Sequence, residues 1–235
     1  MLAGRGMRVS GSDITPSPVT QSLVDQGIHV DTEQSELPAG VDLVIASAAI
    51  PADDPALQLA AKRGIPHGSY AQALGMVQSD RIGISIAGTH GKSTTAAMLA
   101  WILLDTEMDP SYIIGANCDQ IGGGSRTGGA TVPSGPHAGE GGILITEACE
   151  FNRSFHEHRP TIGLINNLEE DHLDVYGSLD AIIEAFAGFA ALLPAAEDGG
   201  SLLIAHDGAR RQGITPPLNC HVSTFGFHPE ADYQI

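Results

Sequence analysis

The chain has 235 residues, 42% of them hydrophobic and 17% charged, and its formal net charge is −17. That length holds one large or two ordinary domains with sizeable cores, while the acidity excludes nucleic-acid or anionic-membrane binding driven by overall charge. Cys118, Cys149 and Cys220 lie far apart with no C-x-x-C pair, no apolar run reaches the roughly 18 residues of a membrane span, and MLAGRGMRVSG lacks a signal-peptide core, so a cytoplasmic location is expected.

Met7 to Ser10 reads as a short strand followed by the turn Gly11-Ser12-Asp13. Thr15 and Pro16 form a cap-then-proline start for a helix that runs to Gln26 and stops at Gly27. Ile28 to Val30 is a second strand, and Leu43 to Ser47 has the continuous apolar look of a buried parallel strand. A helix over Pro55 to Arg63, a strand over Ile65 to His67 and a helix over Tyr70 to Gln78 follow. Alternation of this kind predicts an α/β sheet with helices on its faces. Asp13, at the end of an early strand, is either an acid facing a ribose hydroxyl or a solvated turn residue.

Arg81 to Leu104, RIGISIAGTHGKSTTAAMLAWILL, organises the rest of the chain. A β-prone run (Ile82, Ile84, Ile86) leads into Gly88, Thr89, His90, Gly91, Lys92, Ser93 and Thr94, and helix formers follow. Strand, glycine loop and helix in that order are what a phosphate-binding loop requires, the alternative being an ordinary strand–turn–helix. Glycines let the backbone turn tightly, and the helix start turns amides and the positive dipole end toward an anion. Lys92 can then place its ammonium on the β- and γ-phosphates of a nucleotide, and the Ser93 hydroxyl can sit on Mg2+. The usual G-x-x-x-x-G-K-[ST] spacing would require glycine at position 86, where Ile86 stands. The helix from Ser93 to Leu104 is apolar nearly all round and is expected to be buried.

Ser111 to Ile114 is a further strand, and the glycine-rich stretch Gly122 to Gly142 reads as an exposed, flexible excursion or, alternatively, a lid. Gly142 to Glu147 and Thr161 to Asn166 are apolar strands. Ser178 to Leu193 is a helix with Ile182, Phe186, Phe189 and Leu193 on one face, ended by Pro194. Ser201 to Ile204 is a strand, and only short apolar pieces follow it.

Glu147 ends its strand as an acid, which suits a magnesium ligand and equally suits an ordinary strand–loop junction. NLEEDHLD, Asn167 to Asp174, packs His172 between carboxylates after a strand, where parallel sheets bind ligands. His156 and His158, in RSFHEHRP, lack a third ligand and are expected to be exposed.

GTHGKSTT resembles the ATP loop of the Mur ligases, in which the short glycine spacing is the normal form. TEACE resembles the family's E-A-x-E segment, with Cys149 and Asn152 standing where acids are frequent, and NLEEDHLD resembles its N-[IL]-x-x-D-H-x-D segment. The resemblance implies a Rossmann-like N-terminal domain for the UDP substrate over residues 1–80, here lacking its first βα unit. It implies a P-loop α/β ATP-binding domain over residues 81–235, lacking its end. It further implies Glu147 and His172 as magnesium ligands. His90 and Tyr176 resemble the branch that acts on UDP-N-acetylmuramate, with L-alanine or a recycled tripeptide as the acceptor, and the amide forms through an acyl phosphate. On this reading the chain by itself should bind nucleotide poorly and should not turn over. The other class open to these residues is a nucleotide-binding module without ligase activity.

Overall fold

In the computed structural model, residues 1–32, 37–171 and 173–235 are described. The chain divides into two units, Met1–Ala73 and Leu74–Ile235.

Among its described residues the first unit holds two separate parallel strand pairs. Strand β1 (Ser10–Ser12) pairs with β2 (His29–Asp31), and β3 (Val44–Ala46) pairs with β4 (His67–Ser69). The helix between the first pair, α1 (Pro18–Asp25), starts two residues later than Thr15-Pro16 suggested. Ser17 and Thr20 close a reciprocal capping box, with Thr20 N–H donating to Ser17 Oγ at 3.2 Å and Ser17 N–H to Thr20 Oγ1 at 2.8 Å. Two donors are satisfied there, which fixes Pro18 rather than Pro16 as the first helical residue. Helix α2 (Pro55–Lys62) is capped by Asp54, whose Oδ1 accepts from Ala56 N–H at 2.9 Å. Among the described residues of this unit Ala60 alone is buried, and Met7, Ile14, Val19, Val24 and Ile50 are exposed. Helix α3 (Tyr70–Gln78) runs into the second unit.

The second unit is built on β5 (Ile82–Ala87), β6 (Ser111–Ile113), β7 (Ser125–Arg126), β8 (Ile143–Glu147), β9 (Ile162–Ile165), β10 (Ser201–Ala205), β11 (His221–Gly226) and β12 (Tyr233–Gln234). Among the described residues these form one sheet in the order β12-β11-β10-β9-β5-β8-β6-β7, parallel throughout except for β7 against β6. The short pieces after Ile204 are thus the sheet's far strands.

Alternate residues of the strands feed two cores, as the two-residue period requires. Ile86 and Ile145 pack with Ala96, Ala100 and Tyr112 on the face covered by α4 (Lys92–Asp105). Ala87, Ile165, Leu202 and Ile204 pack with Phe155, Phe186 and Phe189 on the face covered by α6 (Leu179–Ala190). Phe155 stacks on Phe189 at 5.1 Å and meets Phe186 edge-on at 5.3 Å.

Two expectations fail here. Helix α4 is not buried all round: Ala96 and Ala100 seat it on the sheet, but Met98, Trp101 and Ile102 are 61%, 51% and 48% exposed. The glycine-rich stretch is not a loose excursion. Val132 is buried, Thr131 bridges Gly141, and β7 pairs with β6. A Cβ on Gly128 would sit 2.2 Å from the Asp109 carbonyl oxygen, and one on Gly142 would sit 2.1 Å from that of Gly129. These glycines are there because backbone passes against backbone.

Candidate functional site

The loop between β5 and α4 lies at the carboxyl end of the sheet's central strands. Gly88 has φ +138 and Gly91 has φ +80, conformations that a side chain would strain. A Cβ on Gly88 would also come within 3.1 Å of Asn166 Cβ. Gly91 caps α4 with no side-chain hydrogen bond, so the helix opens on backbone amides.

The segment after β9 pins this loop. Thr89 N–H donates to the Asn167 carbonyl at 3.2 Å, and His90 N–H donates to Asn167 Oδ1 at 2.8 Å. Asn167 Nδ2 returns to the His90 carbonyl at 3.1 Å, Asn166 Nδ2 donates to Thr95 Oγ1 at 3.1 Å, and Glu169 N–H donates to Thr89 Oγ1 at 2.9 Å. Asn166 and Asn167 were not among the site residues read from the sequence. Their signal was their place directly after the strand that neighbours β5, where parallel strands bring their ends together.

Lys92 and Ser93, on the first turn of α4, each meet an acid from the end of β8. The Lys92 ammonium donates to Glu150 Oε1 at 3.0 Å and Oε2 at 2.9 Å, and to the Gly88 carbonyl at 2.7 Å. The pair is largely out of solvent, with side chains 16% and 5% exposed. Ser93 Oγ donates to Glu147 Oε2 at 3.0 Å, and Gly115 N–H donates to Glu147 Oε1 at 2.6 Å. Tyr176, on α5 (Leu173–Tyr176), donates its hydroxyl to the Glu150 carbonyl and so ties down the segment carrying that acid. Asn152 and Arg153, just beyond, both hold positive φ (52 and 55), a backbone state that clusters at functional sites.

Gly88, Thr89, Gly91, Lys92, Ser93 and Glu147 therefore come together. Glu150 joins them, a residue whose partnership with Lys92 the sequence did not reveal. His90 and Thr94 are exposed at the loop's rim, and His90 Nε2 stands 3.8 Å from Glu169 Oε2 in an exposed pair of little energetic weight. His172 lies outside the described residues. Asp13 is exposed and its Oδ1 accepts Thr15 N–H at 2.9 Å, as a turn residue does. From Ser93 and Thr94 an apolar groove of about 620 Å³ runs along α4 past Met98 to Trp101.

His156 and His158 are not exposed, contrary to expectation. His158 is 3% exposed, with Nδ1 3.0 Å from Ser85 Oγ. Burial, reinforced by the Arg159 guanidinium, pushes its pKa down to about 4, so it stays neutral. Gln78 Nε2 donates to Ser85 Oγ at 2.9 Å and to Thr146 Oγ1 at 3.0 Å, which completes a buried polar network on the α6 face. His156 is half-buried: it stacks on Phe155 at 4.9 Å and its Nε2 meets the Ala185 carbonyl at 2.8 Å. Gly188 makes room for that ring, since a Cβ there would lie 2.9 Å from His156 Cε1.

The donor set fits magnesium and a nucleotide. A carboxylate and a hydroxyl 3.0 Å apart are hard oxygen ligands, and they flank a glycine loop that opens a helix. Among the described residues, no helix is long and apolar enough to cross a membrane.

Comparison with known proteins agrees with this geometry. Residues 86–235 match the Mur ligase middle domain, and residues 1–81 match the family described as Mur ligase family, catalytic domain. The UDP-N-acetylmuramate–L-alanine ligase of Clostridium acetobutylicum is 37% identical over 96% of this chain and 47% of its own length. The ligase of the same name from Pelodictyon phaeoclathratiforme is 38% identical over 99% of this chain and 46% of its own. The chain thus spans about half the length of the curated relatives it matches. Among solved structures, the UDP-N-acetylmuramate:L-alanyl-gamma-D-glutamyl-meso-diaminopimelate ligase of Neisseria meningitides superposes with a TM-score of 0.83 at 25% identity, covering all of this chain and 74% of that one. The UDP-N-acetylmuramate-alanine ligase of Thermotoga maritima superposes at 0.72 and 24% identity, over 99% of this chain and 50% of that one. With both of its segments matched in order, and with the short glycine loop, Glu147 and Glu150 gathered at one strand end, the chain belongs to the Mur ligase family.

Proposed function

We propose that this chain is the substrate- and ATP-binding part of a cytoplasmic ligase of peptidoglycan precursor synthesis. The enzyme joins L-alanine to the lactyl carboxylate of UDP-N-acetylmuramate. ATP phosphorylates the carboxylate, and the amine then displaces phosphate to leave the amide. Residues 1–80 serve the UDP substrate, and residues 81–235 serve ATP. One observation carries the reading: a lysine and a serine on the first turn of α4 face two acids at the end of β8, beside a glycine loop.

Each residue has a role. The loop amides and Lys92 hold the phosphates, and Glu150 with the Gly88 carbonyl keeps the ammonium at the mouth of the loop. Ser93 and Glu147 would hold one magnesium ion, and His172, on the family resemblance, a second. Bound magnesium supplies positive charge to the phosphate oxygens. Asn166 and Asn167 keep the loop in shape, so that stabilisation comes from positioning and electrostatics.

The acceptor is tested in a full-length version of this protein, carrying its own sequence throughout. Amide formation should favour L-alanine over D-glutamate and over a murein tripeptide. The TM-score of 0.83 to the Neisseria ligase favours the tripeptide as the second reading, and preference for that acceptor would establish it. If neither amine is joined while ATP still binds, the nucleotide-binding module is the right description.

A further inference from the structure

Two parallel neighbours, β10 and β11, end in loops that bring two imidazoles and a carboxylate together. His206 directly follows β10, and His228 and Glu230 follow β11. Their ligating atoms all lie within 4.8 Å of one another. The two rings stack at 4.5 Å, nearly parallel. Asp207 Oδ2 accepts from Phe227 N–H at 3.0 Å and from His228 N–H at 3.3 Å, which clamps the β11 loop over His206. His206 Nδ1 is buried and has no hydrogen-bond partner. A buried nitrogen in that state costs free energy until something occupies it.

We infer that His206, His228 and Glu230 form a transition-metal site, of the zinc class, at the ends of β10 and β11. Two imidazoles and one carboxylate with a water in the fourth position are a zinc donor set, whereas magnesium prefers oxygen alone. The site is separate from the glycine loop, because β10 lies two strands and β11 three strands from β5, about 10–15 Å at ordinary strand spacing. Ligands of a tetrahedral zinc stand about 3.4 Å apart when each bond is about 2.0–2.1 Å. The approach required falls on the exposed side chains of His228 and Glu230. Nearby acids outnumber the cation: Glu230, Asp207 and Asp232 lie around the imidazoles, against Arg211, whose Nη2 is 3.3 Å from His206 Nε2. Metal on Nδ1 leaves the ring proton on Nε2, so Arg211 must turn away. Nothing in the reaction proposed above uses this site. A metal there would staple the last two strands to β10.

The test uses the 235-residue chain, stripped with a chelator and titrated with zinc alone against a chromophoric competitor. Cobalt absorption provides a second reading of four-coordinate geometry. One zinc should bind per chain, and zinc should raise the melting temperature. His228→Ala and Glu230→Gln, both at exposed positions, should each weaken binding by about tenfold or more, and the double variant His206→Ala/His228→Ala should abolish it. Arg211→Ala should bind at least as tightly as the parent, as should the control His137→Ala. Absence of zinc binding overturns the inference. So does an affinity that His228→Ala and Glu230→Gln leave unchanged, because it would place the metal elsewhere.

Discussion

Both carboxylate oxygens of Glu150 lie within 3.0 Å of the Lys92 ammonium, and the pair is mostly removed from water. A lysine held this way is oriented before any phosphate arrives. The arrangement also makes each partner dependent on the other, because either charge left alone would be buried without compensation. Lys92→Met and Glu150→Gln should each destabilise the fold by about 3 kcal/mol. The double variant should cost clearly less than the two single losses combined, leaving a coupling of about 1–3 kcal/mol. Denaturant unfolding of the four proteins measures this, and strict additivity would show that the contact carries no energy.

Ser93 Oγ donates to Glu147 Oε2 at 3.0 Å, and the two are the ligands proposed above for one magnesium ion. Ser93→Ala and Glu147→Gln should raise the magnesium concentration needed for nucleotide binding by about tenfold, while binding measured without magnesium changes little. His172→Ala should behave similarly in a full-length version of the protein, and His137→Ala, an exposed residue, should not. A magnesium dependence that ignores Glu147→Gln would remove that residue from the metal site.

His158 gives the fold an acid limit. Its pKa is about 4 in the folded chain against about 6.5 in the unfolded one, mainly because burial disfavours the charged ring. The unfolded chain takes up the proton first as pH falls. Stability is therefore full above pH 6.5, drops between 6.5 and 4, and levels off below 4, for a total of about 3 kcal/mol. Unfolding measured at pH 7 and at pH 4.5 should show a smaller drop in His158→Gln than in the parent chain. Equal drops would mean that this ring is not the cause.

The glycine-rich stretch is rigid where it passes backbone. Gly128→Ala forces a Cβ to within 2.2 Å of the Asp109 carbonyl oxygen and should cost about 2–3 kcal/mol. Gly139→Ala meets nothing within 4 Å and bears only its positive φ of 87, so about 1 kcal/mol is expected. Melting curves separate the two, and equal effects would restore the flexible reading.

Local rules made much of this legible from the sequence. The loop from Gly88 to Thr94, the strand ending at Glu147 and the helix opened by Ser178 were readable because glycine spacing, an apolar run and a cap each act over a few residues. Glu150 on Lys92, 58 residues away in sequence, was not; nor was Asn167 on His90, 77 residues away. Those contacts exist only once β5, β8 and β9 lie side by side. His158 read as surface because no third ligand stood near it in the sequence, and its burial comes with Ser85, brought in from another element. Tertiary packing likewise turned a run of glycines from apparent slack into close contact.

Lys92 is the residue on which binding of Mg-ATP by the loop from Gly88 to Thr94 is proposed to depend. Isothermal calorimetry on the 235-residue chain, with Lys92→Ala confirmed as folded by circular dichroism, tests that dependence most directly. The account predicts magnesium-dependent binding that weakens by about tenfold or more in the variant. Equal affinities in the two proteins, or no magnesium-dependent binding in either, would contradict it.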